Sequence, residues 1–214
     1  MGMMNKACLI VLMLLPVTGA VAVQDVAVDV QAAFGKPPRA LHLEPVESLV
    51  LPQPPEAPSG LPSRVYLFVD RAHGSGENSL YLVAEMNYRG EDEDQPHIVG
   101  IFSGFLTEEP CMRLADLDND GVPELILVHE TGAGAAYMRI FRISQIPNAS
   151  DDKSCISASA MLKQVGCCRT GLGTVRLEDD DTVVVKTYPE GGKVPTSVKK
   201  YRLEQGEDGM KEVE

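Results

Sequence analysis

The chain has 214 residues and a formal net charge of −12, with 23% of its residues charged and 44% hydrophobic. That length supports one domain with its own core plus a leader or tail. The acidic balance excludes a general nucleic-acid binder, because such a surface repels phosphates, and favours cations or basic partners.

The first 22 residues read as a secretory signal peptide. Lys6 precedes an apolar run from Ala7 to Leu15, followed by Pro16, Gly19 and the small residues Ala20 and Ala22, with cleavage expected after Ala22. The rival reading, an uncleaved anchor, needs about 20 apolar residues, and Pro16, Thr18 and Gly19 interrupt this stretch. Cys8 lies ahead of the apolar core, whereas a lipoprotein cysteine would follow it. No other segment could span a bilayer, so the mature protein is expected to be periplasmic or secreted, with no membrane partner and one unit more negative for the loss of Lys6. Export leaves Cys111, Cys155, Cys167 and Cys168. An even number in an oxidising compartment predicts two disulfides, with Cys111 and Cys155 each joined to one member of the adjacent pair. A zinc site lacks the paired spacing and nearby histidines it would need.

Residues 23–61 form a Pro-rich arm or linker. Residues 23–35 could be a short strand or helix, prolines recur from Pro37 to Pro62, and Leu49 to Leu51 could dock onto the domain. The domain is expected over 62–205. Its strands are read at Val65–Asp70, Ser79–Tyr88, Ile98–Phe105, Glu124–His129, Tyr137–Ile143, Thr174–Leu177, Thr182–Tyr188 and Ser197–Leu203. Tyr137–Ile143 (YMRIFRI) reads as one buried and one wet face. Residues 156–165 fit either a helix or a strand. Gly, Asp and Pro turns between the strands predict an antiparallel all-β domain. The polar residues 206–214 read as a frayed, disordered tail.

The informative segment is ADLDNDGVPELIL, residues 115–127. Three clustered carboxylates repel one another unless a cation sits between them. Counting from Asp116, acids fall at positions 1, 3, 5 and 9 (Asp116, Asp118, Asp120, Glu124), with Gly121 at 6 and the carbonyl of Val122 at 7. Alternation lets a tight loop aim successive oxygens inward, and a hard cation such as Ca²⁺ takes about six to eight of them. An EF-hand is excluded, because its position 12 is glutamate and here it is Leu127. The rival reading is an ordinary Asp/Gly-rich turn.

This D-x-D-x-D-G-x-x-E pattern running into an aliphatic strand resembles the calcium loop of FG-GAP and VCBS repeats in β-propellers. The resemblance covers Leu114 to about Ile143. It implies that Asp116, Asp118, Asp120, the Val122 carbonyl and Glu124 hold a structural Ca²⁺. The chain departs from those repeats in carrying one such loop and about two blades' worth of strands. The expected fold is therefore a small antiparallel β-domain with one calcium loop, as a partial propeller-like sheet, sandwich or barrel.

The surrounding residues select no catalytic chemistry. His129–Glu130 lacks the second histidine of a zinc protease motif, and no serine sits in a G-x-S-x-G elbow. The leading expectation is a non-catalytic exported domain that binds a protein or glycan partner. An alternative is a secreted hydrolase. Another comes from a second resemblance, to bacterial periplasmic lysozyme inhibitors and immunity proteins. In HGSGENSLY, Ser75, Gly76 and Tyr81 are similar to their Ser-Gly…Tyr contact loop, at longer spacing, and a basic lysozyme-like hydrolase would be drawn to an acidic chain.

Overall fold

A computed structural model of the chain describes residues 43–52, 62–70, 78–86, 95–106, 110–132, 134–143, 162–178, 181–206 and 208–213. These form twelve antiparallel strands in three open four-stranded sheets, with no helix among the described residues. The first sheet is β1 (Leu43–Val50), β2 (Pro62–Asp70), β3 (Asn78–Met86) and β4 (Gln95–Gly104). The second is β5 (Met112–Ala115), β6 (Glu124–Glu130), β7 (Ala136–Ile143) and β8 (Leu162–Thr170). The third is β9 (Gly173–Leu177), β10 (Val183–Thr187), β11 (Ser197–Leu203) and β12 (Met210–Val213). Within each sheet every strand pairs with its sequence neighbour, so each sheet is an up-and-down meander.

Alternation of side chains along β6 explains how the sheets assemble. Leu125 and Leu127 point into a core shared with Val65, Leu67, Leu80 and Leu82 of the first sheet. Ile126 and Val128 point the other way, into a core shared with Val175, Val183, Val185 and Leu203 of the third. The second sheet is thus covered on both faces, and a strand buried on both faces reads as a continuous apolar run rather than an alternating one. The first and second sheets are also stitched end to end. Phe105 and Glu130 exchange backbone hydrogen bonds of 2.6 and 2.8 Å. Gly104, with φ of 156°, permits that approach, since a Cβ there would lie 2.3 Å from the Glu130 carbonyl oxygen.

Two segments differ from the sequence reading. Leu43–Val50, expected within the arm, is the edge strand of the first sheet, with Leu51 buried in its core. Met210–Val213, expected to fray, pairs with β11. Both are edge strands that bury little, which periodicity alone does not distinguish from linkers. The undecided 156–165 segment ends in β8, which starts at Leu162. The signal segment 1–22, the stretch 23–35 and the rest of 156–165 lie outside the described residues.

Tyr137–Ile143 does not have one wet face. Ala136, Met138 and Ile140 enter the second core, while Phe141 and Ile143 join the first. Arg139 and Arg142, three residues apart, therefore leave on opposite faces.

Candidate metal centre

The acidic loop connects β5 to β6. Leu117, buried in the second core, anchors it between Asp116 and Asp118. Asn119 (φ 58°) and Gly121 (φ 87°) take left-handed conformations that turn the chain tightly. The result brings carboxylate oxygens of Asp116, Asp118 and Asp120 within 4.8 Å of one another.

Backbone amides hold that arrangement. Asp116 accepts from the Asp120 N–H (3.1 Å) and the Gly121 N–H (2.9 Å), and Asp120 accepts from the Val122 N–H (2.7 Å). Each carboxylate keeps further lone pairs for a cation. An all-oxygen donor set of this kind fits a hard ion, and Asp116, Asp118 and Asp120 could hold a metal ion together.

Glu124 behaves differently. It begins β6, only 1% exposed, and its Oε2 accepts from the Leu117 N–H at 2.9 Å. Its carboxylate is not part of the converging triad. Burial raises its pKa to about 7, with the charge of Asp118 adding to the rise and the Leu117 N–H opposing it.

Arg142, which the sequence reading did not select, supplies a cation from within the chain. Its Nη2 lies 2.7 Å from Asp118 Oδ2 and its Nε 3.6 Å from Glu124 Oε1. The signal for it was present in YMRIFRI, where two arginines three residues apart cannot share one face of a strand. Arg142 falls on the face that Glu124 shares with Ile126, one step past the Leu125–Phe141 pair. Compared with family models, curated proteins and solved structures, the chain matches none of them.

The cysteine expectation requires correction. Cys111, Cys167 and Cys168 all carry free thiols. Cys111 sits in the first core and Cys168 in the second, so the second sheet lies between them. The Cys111 thiol donates to Glu47 Oε2 at 2.8 Å, and that oxygen also accepts from the N–H groups of Cys111 and Met112. Cys155, Ser75 and Gly76 lie outside the described residues. Tyr81 lies within β3, its ring buried with Tyr66, Phe68 and Val83 on the first sheet's outward face.

Proposed function

We propose that the chain is an exported, non-catalytic β-domain whose acidic loop binds calcium as a structural ion, and which uses its surface to bind a protein or glycan partner. The observation that carries the metal part is the convergence of Asp116, Asp118 and Asp120 within 4.8 Å on a tight turn. An ion there offsets the repulsion that amide dipoles and Arg142 relieve only in part. The domain is a partial propeller-like stack: three four-stranded meanders packed face on face have the strand order of successive blades. The loop lies between the first and second strands of the middle sheet, where a fixed turn sets the register of the doubly buried β6.

The test is calorimetric titration and thermal melting of chelator-treated protein. Calcium at about 100-fold over its dissociation constant is expected to raise Tm by roughly 5–10 °C, with magnesium giving less. No binding heat and no Tm shift at millimolar calcium would remove the metal from this reading.

A further inference from the structure

The third sheet carries a charge pattern opposite to that of the molecule. Val175, Val183, Val185 and Leu203 turn into the second core. The alternate positions Arg176, Lys186, Lys200, Arg202 and Lys211 therefore face outward, and all but the half-buried Lys186 are exposed. The remaining outward positions of these strands are Thr174, Val184, Val198 and Val213, so none is acidic or aromatic. Five cations thus share one face of a chain whose formal net charge is −12.

We propose that this outward face is a docking surface for a linear anionic polysaccharide. The inference rests on the partner-binding part of the reading above and names the partner's class. Arg176 and Lys200 flank Val184 in one cross-strand row, two strand spacings or about 10 Å apart. Arg202 and Lys211 are neighbours in the next row, and Lys186 lies on the other side. Charges spread over a sheet face match repeated anions along a polymer better than one small anion. A protein partner would need an apolar or aromatic centre. Among the described strand positions of this face none is aromatic, and the exposed large apolar residue is Val198. Single-stranded nucleic acid would likewise want aromatic platforms.

Arg202 donates to Thr182 Oγ1 at 3.0 Å, and among the described residues the acids that meet these cations stand at the rim. Glu178 lies 4.0 Å from Lys200, and Glu204 contacts Lys211. Both pairs are about half exposed, and such pairs contribute little, so a polyanion can displace them.

The experiment titrates heparin and polygalacturonate, a sulfated and a carboxylated probe, into the calcium-supplemented protein at several salt concentrations. Binding should weaken with a log–log salt slope of about −2 to −4, as contacting cations release condensed counterions. The double variant R176E/K200E should bind both probes at least tenfold more weakly. R169E, a single charge reversal at an exposed position of β8, should stay within about twofold of the parent. Circular dichroism confirms that each variant is folded. Failure of both probes at low salt, or indifference to R176E/K200E, overturns the proposal. Equal affinity for poly-glutamate also overturns it, assigning the face to an acidic protein. Calcium's effect on Tm is read on the same samples, so failure of the metal loop and failure of this surface are separable.

Discussion

At the scale of single residues, Arg142 and the aspartates divide the work of charge compensation. Asp118 and Glu124 are buried and lean on Arg142, whereas Asp120 is exposed. Asp120→Asn should therefore weaken calcium binding at least tenfold. It should change the stability of the chelated protein by less than about 0.5 kcal/mol, because the amide oxygen can still accept the Val122 N–H. Arg142→Gln should do the reverse. It leaves two buried carboxylates without their cation and costs the chelated form about 1–3 kcal/mol. The Tm gain on adding calcium should then exceed the parent's, since the ion takes over the lost charge. A gain equal to or smaller than the parent's would show that Arg142 and the ion do not share Asp118. His129 supplies a pH test. Burial, and then the charge of Arg139, lowers its pKa to about 4 from an ordinary 6.5. The unfolded chain thus takes up a proton that the folded one refuses as pH falls from 6.5 to 4, and stability drops across that window by roughly 1–3 kcal/mol. Glu124, raised to about 7, contributes with the opposite sign above 4.5. The measurement is accordingly the difference between parent and His129→Phe in chelator, a substitution that keeps a ring stacked on Tyr137. Identical pH slopes for the two chains would refute the assignment.

At the scale of elements, the edge strand β1, laddered to β2, is tied to the second sheet by a carboxylate. Glu47 accepts three hydrogen bonds from Cys111 and Met112 on one oxygen, bridging the first and second sheets. Glu47→Ala should cost about 1–3 kcal/mol by stranding those donors, and should speed alkylation of Cys111. In the parent, burial pushes the Cys111 and Cys168 thiols up to about 12, and the thiolate is the reactive species. Peptide mapping after brief alkylation should find exposed Cys167 labelled in the folded protein, with Cys111 and Cys168 labelled only after unfolding. Equal labelling rates would contradict this burial. These same elements mark what was legible in the sequence. Strands with aromatic and β-branched runs, such as VYLFVD and TVVVKTY, announce themselves, and the spacing of Asp116, Asp118 and Asp120 foretells their convergence. Edge strands β1 and β12 do not, because they bury little and their pairing partners are chosen in three dimensions. Glu124 was grouped with the triad by spacing, but as the first residue of a buried strand its carboxylate is taken up by the Leu117 N–H and Arg142. Even cysteine number suggested bridges, whereas placement in separate cores is a property of the stack.

At the scale of the whole molecule, β6 links the two cores through adjacent residues. Leu125 and Leu127 belong to one and Ile126 and Val128 to the other, so neither core keeps its wall if β6 leaves. The three sheets are therefore expected to unfold together rather than blade by blade. Methyl signals from Leu67 in the first sheet and Val185 in the third should lose native intensity at one urea concentration. Ile126→Ala removes buried methyl groups from the second core only, at a cost of about 2–5 kcal/mol. If β6 couples the cores, that substitution lowers both midpoints equally, although Leu67 does not share a core with Ile126. If the Val185 midpoint falls while the Leu67 midpoint stays, the sheets are independent modules. In that case a calcium ion at Asp116–Asp120 could stabilise no more than the sheet whose loop it occupies.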